Sequence, residues 1–164
     1  MGELTPMAAT VGALLKARRE TVAISESSAG GLISAALLAV PGASAYFLGG
    51  AVVYTQAARR ELLRLDDDAV TGIRSSTEAY AALKARTIRR LLGTTWGLSE
   101  TGASGPTGNR YGDAAGHACI AVAGPAEHVI TIETGHGDRE RNMWAFAAAA
   151  LQLLHAALKE QPGP

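Results

Sequence analysis

Hydroxyls, one carboxylate, one cation and several glycines collect where this chain turns. Glu26, Ser27 and Ser28 end a short β-branched, apolar run over residues 21–25, and Gly30 and Gly31 lead into a second apolar run over 32–40. Ser44 follows Pro41-Gly42, Tyr54 closes the apolar run 45–54, and Arg59 comes five positions later. Thr101 ends another run, and Ser104 and Asn109 lie in the Gly/Pro-rich stretch after it. Such a set suits binding a phosphorylated ligand and attacking a neutral polar group. The set does not spell a catalytic triad. A strand that feeds a helix through glycines also offers free N–H groups and a positive dipole end, so the ligand phosphate is expected near Gly30-Gly31.

Other chemistries find less support. The four histidines fall outside the turns that carry these hydroxyls, with His136 in a turn of its own, and they show no zinc-ligand spacing. The G-x-S-x-G elbow of serine hydrolases is absent. Asp66, Asp67 and Asp68 lack the alternate spacing of a calcium loop and read as a solvated turn. No metal and no cofactor are expected. Cys119, the single cysteine, sits in an apolar run and reads as a buried core thiol.

The elements that must position these residues follow from periodicity and caps. Helices are expected over 10–19, 32–40, 56–63, 76–92 and 142–158, and strands over 21–25, 45–54, 95–101, 117–124 and 128–135. Residues 102–115 form a loop long enough to suggest function. The last helix is apolar on more than one face, which suggests deep burial or a subunit contact, and residues 161–164 should fray. Helices alternating with strands, then a late hairpin, predict an α/β/α sandwich with a mixed, mostly parallel sheet. In such folds ligands bind beyond the carboxyl ends of the strands.

Length bounds the rest. The 164 residues suit one domain, with a core over about 8–158. A net charge of zero argues against a general nucleic-acid partner. No signal peptide and no membrane-spanning run is visible, so a cytoplasmic protein is expected.

The runs SESSAGG, PGASAYFLGGAVVYTQAARRELL, TGASGPTG and GDR together resemble the CinA C-terminal domain family. There the pattern is AESCTGG, PGSS or PGAS, VVYSNEAK, TGIAGPDGG and GDR, and the order and gaps match along nearly the whole chain. The resemblance implies hydrolysis of the carboxamide of nicotinamide mononucleotide to nicotinate mononucleotide and ammonia, a step of pyridine-nucleotide salvage. It implies a small-molecule nucleotide substrate, while the apolar last helix is the ground for expecting a homo-oligomer. Some members carry an additional N-terminal pyrophosphatase domain, for which this length leaves no room.

Carried over by motif, Ser44 is the expected nucleophile with Ser27 second, and Tyr54 is expected on the same pocket as Ser44. Glu26, Gly30, Gly31, Thr101, Gly102, Gly105 and Arg139 fall on matching positions, and Ser104 and Asn109 lie in the same loop. One departure bears on mechanism: the lysine of VVYSNEAK is Arg59, and a guanidinium keeps its proton, so the resemblance implies Glu26 or an ionised Tyr54 as the base and Arg59 as a phosphate or oxyanion partner. The remaining lysines, Lys16, Lys84 and Lys159, lie outside the motif. Two expectations therefore stand: a nicotinamide-nucleotide amidohydrolase, or a relative that keeps the pocket and binds nucleotide without turnover.

Overall fold

The computed structural model describes residues 1–160; the expected fraying of 161–164 lies outside them. The elements are α1 (Thr5–Arg18), β1 (Val22–Glu26), α2 (Leu32–Leu38), β2 (Phe47–Val52), α3 (Gln56–Leu63), α4 (Glu78–Leu92), β3 (Trp96–Ala103), β4 (His117–Ala123), β5 (Glu127–Glu133) and α5 (Arg139–Glu160). Short 3₁₀ turns occupy Ala43–Ala45 and Asp68–Val70. The order is the one expected, and the differences lie at the ends. Helix α1 starts earlier because Pro6 suits a first helical turn. Strand β2 is shorter because residues 43–45 wind into the 3₁₀ turn. Helix α4 is capped by Thr77, whose hydroxyl accepts the Tyr80 N–H.

The sheet runs β2-β1-β3-β4-β5. Strand β1 pairs in parallel with both β2 and β3, and the β3–β4 and β4–β5 pairs are antiparallel. Only β4 therefore points against the other four strands, which makes the sheet mixed and mostly parallel.

Period-two alternation sorts the strand side chains between two helical layers. Val22, Ile24, Trp96, Leu98, Ile120 and Val122 face α1, α2 and α5 and form the larger core. Ala23 packs with Val53, Leu63 and Ile88 against α3 and α4, and Cys119, Ala121 and Ala123 pack with Ala81 and Ala85 of α4. Helix α4 lies close on β3 because residue 97 is glycine; a Cβ there would collide with the Ala85 carbonyl oxygen. Among the described residues no helix is long and apolar enough to cross a membrane.

The chain leaves β1 toward β2 through α2 and reaches β3 through α3 and α4 on the opposite face. The carboxyl ends of β1 and β3 are thus a switch point, where a crevice opens.

Candidate functional site

A cavity of about 630 Å³ occupies that crevice, a volume in the range of nucleotide-sized ligands. Ser27 reaches it from the end of β1, Tyr54 and Gln56 from the end of β2, and Thr101 and Gly102 from β3. Arg59 and Tyr80 line it from α3 and α4, and the far wall is Arg74, Ser75 and Ser76 with Asn109, Arg110 and Tyr111. A larger groove of about 860 Å³ between the first residues and α5 contains none of the residues singled out as chemically competent.

The turn after β1 is built on two buried carboxylates. Glu26 continues the side of β1 that faces α2, and one of its oxygens accepts the N–H groups of Gly31 and Ile33, both at 3.0 Å. The other accepts the Ser34 N–H at 2.8 Å and its hydroxyl at 2.6 Å. Glu100 of β3 accepts the N–H groups of Ser27 and Ala29, both at 2.9 Å, and the Ser28 hydroxyl. Burial pushes the Glu26 carboxyl above its ordinary value, against the pull of the hydrogen bonds from Ser34 and Ile33.

This corrects two expectations. The donors at Gly30-Gly31 are not open to a phosphate, because the protein's own carboxylate fills the start of α2 and the Gly30 N–H goes to the Ser27 carbonyl. Glu26 is likewise not a base facing the cavity; it is fully buried and bonded on both oxygens. Gly31 is required for its backbone: at φ 98° it turns the chain into α2.

Ser44 is the third correction. It is exposed in the 3₁₀ turn that precedes β2, at the opposite end of the sheet from the cavity. The whole of β2 separates it from Tyr54, roughly 20 Å of extended chain. The two hydroxyls therefore share no pocket, although ten residues and one family motif connect them.

The other residues divide into two groups. Ser27, Tyr54, Arg59, Thr101, Gly102 and Asn109 meet at the cavity. Ser104, Gly105 and Arg139 form a bracket beside it. Arg139 donates to the Gly105 carbonyl at 2.6 Å and to the Tyr54 hydroxyl at 3.2 Å, and Asn142 donates to the Ser104 carbonyl at 2.8 Å. Asn109 lines the cavity, but its side chain is bonded within its own loop. It accepts the N–H groups of Tyr111 and Asp113 and donates to the Asp113 carboxylate.

Arg59 is buried. Its Nε donates to the Leu65 carbonyl at 3.0 Å and its guanidinium pairs with Asp67, which also binds Arg60 at 2.6 Å. Asp67 is thus a partner of the site rather than a purely solvated turn residue.

Sequence reasoning missed the far wall apart from Asn109. Arg74 forms a two-pronged pair with Asp113 at 2.6 and 3.0 Å and lies 5.2 Å from the centre of the Tyr111 ring. Arg110 covers the same ring at 5.0 Å. The Arg74 hydrogen bond is the largest influence on Asp113, whose carboxyl is held down at about 2. Arg74, Ser75 and Ser76 directly precede a helix cap, and that position was the available signal. Three guanidiniums line the cavity, with Asp67 paired to Arg59 and Asp113 paired to Arg74, so the balance at the site is positive and suits an anionic ligand.

Strand β4 carries an arrangement that imitates a Cys–His–acid triad. Cys119 Sγ lies 3.6 Å from His117 Nε2, and His117 Nδ1 pairs with Glu133. Nε2 already bonds the Ser76 carbonyl at 2.9 Å, and burial pushes the thiol up. His117 clamps the cavity wall to the sheet, and Cys119 is a core thiol as expected.

Comparison with known proteins agrees with the motifs. The model of the CinA C-terminal domain matches residues 4–158. A CinA-like protein of Cyanothece sp. is 41% identical over 93% of this chain, and one of Salinibacter ruber is 37% identical over 92%. The matches cover 37% and 36% of those relatives, so the chain spans just over a third of their length. The crystal structure of the competence damage-inducible protein A from Klebsiella pneumoniae superposes with a TM-score of 0.90 at 24% identity, over 97% of this chain and 99% of that one. The competence/damage inducible protein CihA from Agrobacterium tumefaciens gives 0.84 at 25%, over 97% of each chain. The chain belongs to the CinA C-terminal domain family.

Proposed function

From that membership, we propose that this domain hydrolyses the carboxamide of nicotinamide mononucleotide, with Ser27 as the nucleophile. The observation that carries the reading is the position of Ser27 on a nucleotide-sized cavity at the β1/β3 switch point, facing a wall of arginines and a tyrosine. The phosphate lies toward Arg74, Arg110, Ser75 and Ser76, and the ring lies against Tyr111.

Ser27 Oγ forms a bond to the amide carbon, the C–N bond breaks, and the serine proton leaves with ammonia. Water then cleaves the acyl-serine ester to give nicotinate mononucleotide. Tyr54, held by Arg139, relays the proton at the cavity mouth. Arg59 stabilises negative charge and takes no proton.

A second reading has its own support. The Arg59 side chain is already bonded to Leu65 and Asp67, so it stands less available to the reaction than a lysine base would be. Under that reading the domain binds the nucleotide without turning it over. Ammonia release from nicotinamide mononucleotide separates the two. Turnover is expected in the wild type, lost in Ser27→Ala and kept in Ser44→Ala. Calorimetric binding without ammonia would favour the binding relative, and loss of turnover in Ser44→Ala alone would overturn the assignment of Ser27.

A further inference from the structure

Lys84 is the lysine that the motifs left unexplained. It lies in the middle of α4, fully buried, and Nζ donates to the Glu100 carbonyl at 2.9 Å. Its ammonium stands 5.6 Å from the centre of the Tyr80 ring, which lines the cavity. The charged groups acting on it are Glu100 of β3 and Glu26 of β1, and Tyr80 faces it from its own helix. Ser25 and Ser99 share this face of the sheet by their strand register, and Ser25 Oγ is buried without a hydrogen-bond partner among the described residues. An ammonium withdrawn so fully from water is costly unless its charge is used.

The carboxylates show where that charge acts. Glu26 and Glu100 are both fully buried, and between them they accept five backbone N–H groups, from Ser27, Ala29, Gly31, Ile33 and Ser34. Two adjacent buried anions repel each other, and both act on the buried Lys84 ammonium, which bonds the Glu100 carbonyl from the α4 face of the sheet. The segment they hold begins with Ser27.

We propose that Lys84 is a positioning residue for the reaction at Ser27: its buried ammonium balances the Glu26 and Glu100 carboxylates that grip the 27–34 backbone, and so sets where the Ser27 hydroxyl points. The proposal rests on the reading of Ser27 as nucleophile. Burial lowers Lys84 to about 8, against the opposing pull of Glu100 and Glu26, so the ammonium is lost as pH rises through that value. The support of the turn weakens in the same window.

The wild-type protein offers the first test. In amide NMR spectra, the N–H signals of Ser27, Ala29, Gly31, Ile33 and Ser34 should shift together with a midpoint near pH 8. Signals that stay still through that titration would overturn the proposal. In Lys84→Met the same signals should sit at their alkaline positions at every pH. The kcat for nicotinamide mononucleotide should fall roughly 10–100-fold, with KM changed by less than about twofold, because misplacing a reacting group affects the chemical step more than ground-state binding.

The double variant Lys84→Met/Glu100→Gln removes one charge of each sign. The amide oxygen of Gln can still accept from Ser27 and Ala29, and its NH₂ can donate to the Ser28 hydroxyl. This variant should recover most of the kcat and the wild-type amide positions, and it carries the test if the single variant fails to fold. A Lys84→Met protein with wild-type kcat, or a double variant no better than the single one, would show that Lys84 only fills space. If the wild type releases no ammonia, the reading of Ser27 fails, while the amide titration still decides whether Lys84 orders the turn.

Discussion

The turn over residues 27–34 and the wall made by Arg74–Ser76 with the 109–113 loop face the same cavity, but they are held by different physics. In the turn, fully buried carboxylates accept backbone N–H groups, so water reaches those bonds less than it reaches a surface pair. In the wall, Arg74, with 42% of its side chain exposed, meets Asp113, with 13% exposed. The first arrangement fixes the backbone of one residue type after another whatever ligand is bound. The second can open, close and exchange partners at small energetic cost. A site that must hold a nucleophile still while admitting a charged ligand gains from this division: the nucleophile stands on the rigid side and the anion-binding guanidiniums on the adjustable side.

The most severe way to break the comparison is to remove the carboxylate under the turn. Glu26→Ala leaves the Gly31, Ile33 and Ser34 N–H groups unpaired in the interior, and stability should fall by about 3–5 kcal/mol. Urea unfolding measures this directly, and a loss below about 1 kcal/mol would mean that water replaces the carboxylate and the turn is not rigid.

A milder probe titrates the same side. The folded pKa of Lys84, about 8, lies below its ordinary 10.5, so between those values the unfolded chain binds more protons. Stability should therefore rise with pH across that window, by at most about 3 kcal/mol, and Lys84→Met should remove the rise. Activity is expected to move the opposite way over the same range, because the neutral amine no longer supports the carboxylates. Thermal unfolding at a series of pH values supplies the first trend and kcat the second; parallel trends would show that Lys84 acts on stability alone.

The smallest effect belongs to the exposed wall. The Asp113 carboxyl is held at about 2, below its ordinary 3.8, so the pair contributes above about pH 4 and loses its contribution as pH falls toward 2. Screening near solvent limits that contribution to less than about 1 kcal/mol. Asp113→Asn should thus barely move the unfolding midpoint. It should nevertheless alter the affinity for nicotinamide mononucleotide and its salt dependence, because Arg74 is released. A large stability loss would place the wall in the same rigid class as the turn and erase the distinction.

The sequence alone determined the order of elements, the mixed sheet between helical layers, the core role of Cys119 and the clustering of site residues at strand ends. Each of these depends on short-range information: the alternation of apolar positions, the caps, and the glycine and proline breaks. The motifs placed Ser27, Tyr54, Arg59 and Thr101 together correctly because all four follow or line the carboxyl ends of neighbouring strands. Tertiary structure decided what chain distance conceals. Ser44 and Tyr54 are ten residues apart and lie at opposite ends of the sheet, because an extended strand separates its two ends as far as ten residues allow. Ser27 and Glu100 are 73 residues apart and share a hydrogen bond, because burial sets β1 against β3. Lys84 looked like one more polar residue on a helix until the packing of α4 over β3 withdrew it from water. Its charge has meaning only with two carboxylates of other strands across the sheet from it, and which strands become neighbours is settled by non-local burial of apolar faces rather than by any local pattern.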